Sequence, residues 1–356
     1  IEENHNNADT SDHRKWFDFL NWFHWKPISQ ENLIESEKKM LSTVKCDLKT
    51  QNVGISDENS LWTVTCKNES NKTPLVLVHG FAGGVGLWSR NYDELCKDRS
   101  VYAFDLLGFG RSSRPCFGTD PEDIEKKFID SIEEWRQEVG IKDFILLGHS
   151  FGGYLACCYT MKYPSQVKSL ILADPWGFPI SETELTKSTS AIKCTPWHNK
   201  LWVQDMVSVS SLFNPLGAIR SAGPWGPTIL KKYRQDFKHR FPEVSVIDEN
   251  AVFEYIYQCN AQNPTGEIGF RNMNRNLGYA YRPMLARICG ISTNIPITFI
   301  YGKESWIISE SGEKAKALMP NHNVRVYLID NASHNVHADQ PAAFNRIVCN
   351  LCTEID

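Results

Sequence analysis

The sequence predicts an α/β fold in which a mostly parallel central sheet is covered by helices on both faces and interrupted by a helical cap. Short, uniformly apolar runs recur from about residue 73, each leading into a turn and a helical stretch. The rhythm breaks between about 176 and 290 and then resumes. Gly148-His149-Ser150-Phe151-Gly152 also lies between one such run and a helical stretch. Strands buried on both faces read as continuous apolar runs, and their alternation with helices is the pattern of a parallel sheet.

Taken in order, residues 1–13 are polar and expected to be disordered. Residues 14–60 form an aromatic-rich N-terminal segment that opens with Trp16, Phe17, Phe19, Leu20, Trp22, Phe23 and Trp25. A helix through that burst would be apolar nearly all round. It suits a segment packed on the core, and equally an interfacial lipid anchor, because Trp and Phe favour the headgroup boundary and Lys15 and Lys26 flank it. Residues 61–175 are the first part of the core, with strands at 75–78, 101–104, 144–147 and 170–173 and helices at 124–139 and 154–162. Residues 176–290 are the cap, where Pro, Trp and Gly punctuate helical pieces. Residues 291–356 complete the core with strands at 297–301 and 326–329.

At 42% hydrophobic and 22% charged residues, the chain has the composition of a folded protein. A net charge of −4 argues against a general nucleic-acid binder. No run approaches the roughly eighteen apolar residues of a membrane span. Eleven cysteines, an odd number without framework spacing, favour reduced thiols and an intracellular home. Cys349 and Cys352 form a CxxC without a second pair, so no metal site is read from it. The sequons at Asn68, Asn71 and Asn331 are read as chance matches, since a glycan on Asn331 would crowd the histidine at 334.

The pentapeptide around Ser150 has the context its chemistry needs. Between a buried strand and a helix, its glycines permit a sharp, strained turn that lifts the serine hydroxyl above the sheet. The helix N-terminus beneath it favours developing negative charge. This identifies Ser150 as a nucleophile and the architecture as the α/β-hydrolase fold. That fold carries its base after the last strand, which selects His334 in Asn331-Ala332-Ser333-His334, with His337 in a packing or solvent-facing role. His79-Gly80-Phe81-Ala82-Gly83-Gly84 follows the first apolar run, so the backbone N–H groups of Phe81 and Phe151 are the expected oxyanion donors. The third member stays open. After the penultimate strand, Gly302 to Glu310 contains no aspartate. Glu304, Glu310 and Asp174, at the end of an earlier strand, are the candidate acids, and Asp174 serves equally as a cap.

Two weaker motifs take structural readings. Asp105-Leu106-Leu107-Gly108-Phe109-Gly110-Arg111-Ser112 lacks the P-loop lysine and the dinucleotide spacing, and is a turn. Lys231, Lys232, Arg234, Lys238 and Arg240 read as a solvated helix face, with contact to anionic headgroups as the alternative.

The chain also resembles the α/β-hydrolase-domain 4/5 family of lipid-metabolic hydrolases, which includes the CGI-58-like proteins. The resemblance runs from about Trp16 to the end. It rests on Asp174-Pro175-Trp176-Gly177-Phe178, on Phe213-Asn214-Pro215-Leu216 with Ala222-Gly223-Pro224-Trp225-Gly226, on Tyr279-Ala280-Tyr281-Arg282-Pro283-Met284-Leu285, and on the tail His334 to Pro341. It implies an intracellular protein, cytoplasmic and peripherally associated with membranes or lipid droplets through the aromatic segment. It implies phospholipid or lysophospholipid substrates, no resident cofactor or metal, and a lipase or droplet coat protein as partner. The family's His-x4-Asp motif, linked to lysophosphatidic acid acyltransferase activity, falls on His334 and Asp339, with acyl-coenzyme A as the co-substrate in that reading. One branch has asparagine at the position of Ser150 and activates another lipase, so the serine assigns this chain to the hydrolytic branch. The family's triad aspartate falls on Ile308, which leaves room for a weakly catalytic or non-catalytic co-activator of a triglyceride lipase. The expectation is therefore a serine-dependent lipid ester hydrolase of the lysophospholipase or N-acyl phosphatidylethanolamine lipase type, with acyl transfer and lipase activation as the alternatives.

Overall fold

The apolar runs become strands of one sheet in the computed structural model, which describes residues 29–180, 216–276 and 279–356. The sheet contains β1 (Leu48–Gly54), β2 (Ser60–Cys66), β3 (Leu75–Val78), β4 (Val101–Phe104), β5 (Phe144–His149), β6 (Val167–Ala173), β9 (Ile297–Gly302) and β10 (Val324–Ile329). Their order is β1-β2-β4-β3-β5-β6-β9-β10, with β7 (Asn274–Asn276) and β8 (Tyr279–Ala280) forming a separate ribbon. From β4 to β10 all neighbours are parallel, while β2 runs antiparallel to both β1 and β4. In β3, Val76 and Val78 enter one hydrophobic cluster while Leu75 and Leu77 enter the other. The strand lies between two cores, and so it is apolar at every position.

The helices are α1 (Gln30–Leu41), α2 (Tyr92–Leu95), α3 (Pro121–Val139), α4 (Phe151–Lys162), the cap helices α5 (Gly217–Ser221), α6 (Gly226–Tyr233), α7 (Asp236–Arg240), α8 (Pro242–Ile247), α9 (Ala251–Ala261) and α10 (Thr265–Met273), then α11 (Glu310–Leu318), α12 (Val336–Asp339) and α13 (Pro341–Thr353). Helix α3 has sharp local signals. Asp120 accepts from the N–H groups of Glu122 and Asp123, Pro121 sits in the first turn, and Gly140 ends it in the left-handed region.

Several expectations need correction. The core begins upstream of residue 61, because the β1–β2 hairpin joins its edge. Strand β1 buries only Val53, so no apolar run marks it. The aromatic burst at 16–25 lies outside the described residues. The rest of the 14–60 segment divides between that hairpin and α1, whose Leu33 and Met40 pack with Leu230, Phe237, Val252 and Phe253 of the cap. Truncating such a buried side chain to Ala costs about 2–5 kcal/mol. The cap is also narrower than 176–290, since Trp176, Phe178, Met284, Leu285 and Ile288 all belong to the core under the sheet.

The basic run is not one solvated face. Lys231 and Lys238 pair with Glu249 and Arg234 with Asp236, while Arg240 is 9% exposed and turned inward. Nor are all thiols reduced, because Cys66 and Cys96 form a disulfide. They lie 30 residues apart and meet only because β2 and the turn after α2 are neighbours in the fold. Among the described residues, no helix is long and apolar enough to cross a membrane.

Candidate active site

The turn after β5 is built by what its glycines leave out. A Cβ on Gly152 would lie 2.4 Å from the carbonyl oxygen of His79 and 2.5 Å from that of Val78. A Cβ on Gly80 would lie 2.8 Å from His149 Nδ1 and 2.9 Å from Ser150 Cβ. Only glycine lets the 79–84 loop lie against the 148–152 turn. The elbow closes one residue before α4, which starts at Phe151 rather than at Tyr154. Ser150 takes φ 53° and ψ −118°, and its N–H donates to the carbonyl of Ala173 at 3.0 Å. Among the described residues, four of the six non-glycine residues with positive φ, namely Ala82, Ser150, Asp174 and Asn331, surround this corner. Such residues cost of order 1–3 kcal/mol each and cluster at functional sites.

Three side chains converge there. Ser150 Oγ donates to His334 Nε2 at 2.9 Å. On the other side of the ring, His334 Nδ1 donates to Asp174 Oδ2 at 2.6 Å. Asp174 leaves the end of β6, with its N–H bonded to the carbonyl of Ile300 at 2.8 Å and its side chain fully buried. Glu304 and Glu310 are exposed and Ile308 is 41% exposed; none of the three hydrogen-bonds to His334. The fold thus brings together Ser150, His334 and Asp174, and leaves the other two candidate acids outside.

Sequence reasoning missed three supports. Ser305 Oγ donates to Asp174 Oδ2 and accepts the N–H of Ile307 at 3.0 Å. It stands in the Gly302–Glu310 loop, where its hydroxyl carries no carboxylate signal in the sequence. His149 Nε2 donates to the carbonyl of His334 at 2.9 Å, tying the elbow to the segment that carries His334. His79 Nε2 accepts the N–H of Leu106 at 2.9 Å, which puts its proton on Nδ1, donating to the carbonyl of Gly80 at 2.8 Å. His337 is buried against Trp88 and His149 and is a packing residue.

The backbone N–H groups of Phe81 and Phe151 enter none of the loop and cap hydrogen bonds among the described residues. Their rings pack on Phe270, with centroids 4.3 and 4.9 Å away, which holds both turns against the cap helix α10. The 105–112 stretch is a structural turn. Asp105 accepts the N–H of Val85 and that of Arg111, both at 2.8 Å.

Asp339 has other partners. Its Oδ2 accepts from Ser333 N–H at 2.8 Å and Ser333 Oγ at 2.7 Å, and its Oδ1 pairs with Arg240 Nε at 2.5 Å. Arg240 Nη2 also donates to Ser333 Oγ at 2.7 Å. The cap is thereby fastened to the segment carrying His334.

Burial dominates the electrostatics. It lowers His334 to about 3, helped by the Arg240 and Arg234 guanidiniums and opposed by Asp339. It pushes the Asp174 carboxyl well above the usual range, opposed by hydrogen bonds from Ser305 and the Gly302 amide. His149, His337 and His79 are likewise lowered, chiefly by burial. The resting imidazole of His334 is therefore neutral and able to accept a proton. A hydroxyl bonded to a neutral imidazole that is oriented by a buried carboxylate can act as a nucleophile towards an acyl carbonyl.

Residues 73–341 match the alpha/beta hydrolase fold family. The chain is 47% identical over 329 residues to the (lyso)-N-acylphosphatidylethanolamine lipase of Homo sapiens, covering 92% of this chain and 93% of that protein. It is 44% identical over 356 residues to the Homo sapiens 1-acylglycerol-3-phosphate O-acyltransferase ABHD5, covering 100% and 99%. Among solved structures it is similar to the naproxen esterase of Bacillus subtilis, with a TM-score of 0.63 at 16% identity, covering 92% of this chain and 99% of that one. A membrane phospholipase A described as a bacterial virulence factor gives a TM-score of 0.61 at 19% identity, covering 91% of each chain. At these identities the structural likeness speaks to the fold.

Proposed function

The chain belongs to the α/β-hydrolase family, among the relatives of the (lyso)-N-acylphosphatidylethanolamine lipases and ABHD5, and from that membership we propose that it is a serine-dependent lipid ester hydrolase. The observation that carries the proposal is the pair of hydrogen bonds running from Ser150 through His334 to Asp174. Ser150 Oγ attacks the acyl carbonyl while its proton passes to His334 Nε2. Asp174 stabilises the imidazolium that forms, and the N–H groups of Phe81 and Phe151 receive the oxyanion. The alkoxide of the leaving alcohol takes the proton from His334. Water then attacks the acyl-enzyme, returning a proton to Ser150 through the same imidazole and releasing a fatty acid. A buried Asp174 in place of the family acid at Ile308 supports a working triad over a protein that only activates another lipase.

The substrate class follows the relatives: acyl esters of phospholipids or lysophospholipids, including the N-acylated ethanolamine type. No resident cofactor is needed for this chemistry. The name of the second relative favours a further reading, transfer of the acyl group from acyl-coenzyme A to a lysophosphatidic acid acceptor. Against a chemical role for the His-x4-Asp pair, Asp339 is already held by Arg240 and Ser333. Contact with a membrane or lipid-droplet surface is assigned to the aromatic segment at 16–25, and its loss on vesicle flotation after Trp16, Trp22 and Trp25 are changed to Ala would support that.

A fluorophosphonate probe tests the hydrolase reading directly. Labelling of the purified chain that vanishes in Ser150→Ala, together with fatty-acid release from a lysophospholipid, is the expected result. A wild-type chain that neither labels nor releases fatty acid would sink the proposal. If transfer to lysophosphatidic acid survives Ser150→Ala but not His334→Ala, the acyltransferase reading replaces it.

A further inference from the structure

Far from Ser150 in sequence, three cysteines converge from separate segments. Cys46 lies in the connection between α1 and β1, Cys66 ends β2, and Cys96 follows α2. Their sulfur atoms all lie within 4.8 Å of one another. Three thiolates bound to one tetrahedral ion at about 2.3 Å would stand roughly 3.8 Å apart, so small side-chain shifts would suffice. Cys66 and Cys96 are buried in the apolar cluster that holds Leu75 and Leu77 of β3, whereas Cys46 is half-buried and leaves an entry path. Asp93 Oδ1 accepts the N–H groups of Lys45 and Cys46, each at 2.9 Å. That bond fixes the Cys46 turn and sets a carboxylate charge beside its sulfur.

We propose that Cys46, Cys66 and Cys96 form a binding site for a thiophilic divalent cation such as Zn2+, opened when the Cys66–Cys96 disulfide is reduced. Thiolate donors select soft or borderline cations, and the Asp93 carboxylate adds negative charge next to them. The steps balance. A dithiol reductant delivers two electrons and two protons, becoming a disulfide while Cys66 and Cys96 become thiols. The cation then displaces the protons of all three thiols, leaving a three-thiolate site with a fourth position for water. Bound metal would tie the connection from α1 to both β2 and α2, linking the cap-bound helix to the sheet.

The test is a Co2+ titration of the full chain after reduction with a phosphine in oxygen-free buffer. A single equivalent should bind, with a thiolate-to-metal charge-transfer band, tetrahedral visible bands and release of about three protons per ion. Zn2+ should displace it. The signal should vanish in Cys46→Ser and in protein reoxidised with diamide. A reduced wild-type chain with no thiolate band overturns the proposal, as does binding that persists undiminished in Cys46→Ser or in the oxidised chain. A missing thiolate band in the reduced wild-type chain overturns the proposal whether or not the variant folds, and loss of the band on reoxidation ties it to the Cys66–Cys96 pair.

Discussion

Asp174 and Asp339 both approach the segment that carries His334, yet only Asp174 meets its ring. Asp174 comes from the end of a central strand, is fully buried, and accepts from Nδ1. Asp339 ends the short helix α12 and spends both oxygens on Ser333 and on Arg240 from the cap. The difference follows from what each is attached to. A strand end inside the sheet holds a carboxylate in one position relative to its neighbours, which suits orienting an imidazole. A residue at the rim, beside the cap, suits fastening one part of the fold to another. Proximity in sequence is misleading here: the aspartate five residues from His334 is the fastener, and the one 160 residues away is its hydrogen-bond partner.

The largest effect is expected at Asp174. Asp174→Asn keeps the shape but favours the wrong tautomer of His334, so kcat for ester hydrolysis should fall by a factor on the order of 10⁴. A variant with near wild-type kcat would return the acid to another residue. Arg240→Met should separate stability from chemistry. It removes one partner of the part-buried Arg240–Asp339 ion pair, at a cost of about 3–5 kcal/mol in denaturant unfolding. The surviving folded protein should lose far less in kcat than Asp174→Asn. Equal losses in the two variants would erase the distinction.

Ser305→Ala sharpens the picture on the Asp174 side. It removes one donor to a carboxylate, worth about 1.5–3 kcal/mol, and should lower kcat by roughly 10- to 100-fold without changing KM. Restoration by Ser305→Thr would distinguish a lost hydroxyl from a lost fit.

The smallest effect is on pH. Because His334 is lowered, it stays neutral as the solution is acidified through the usual histidine range, and probe labelling of Ser150 should persist below pH 6.5. A positive neighbour disfavours the imidazolium, so Arg240→Met should move the acid limb upward. Asp339→Asn removes a charge that favours the imidazolium and should move that limb downward, each by a fraction of a unit. Shifts in the opposite sense would mean that the two groups do not act on the ring through charge.

Much of this arrangement was legible from residue order. Strands β3 and β4 have the expected bounds, because an apolar run between turns has little alternative in a doubly covered sheet. The elbow at Ser150 was legible because Gly148 and Gly152 flank the serine between an apolar run and a helical stretch. The β1–β2 hairpin was not, since an edge strand with one buried residue carries no periodic signal. Ser305 was overlooked because a hydroxyl acquires its role only through the carboxylate it meets.

Local chemistry thus determined the sheet's central strands, the sharp turn at Ser150 and the histidine after the last strand, since each is marked by residues that are neighbours in the chain. The tertiary structure decided which carboxylate meets that histidine, which arginine latches the cap, and which cysteines meet. Those choices depend on how β5, β6 and β9 line up, on the cap's docking, and on the packing of β2 against α2, contacts between residues tens to hundreds of positions apart. Residue order alone records no distance between them.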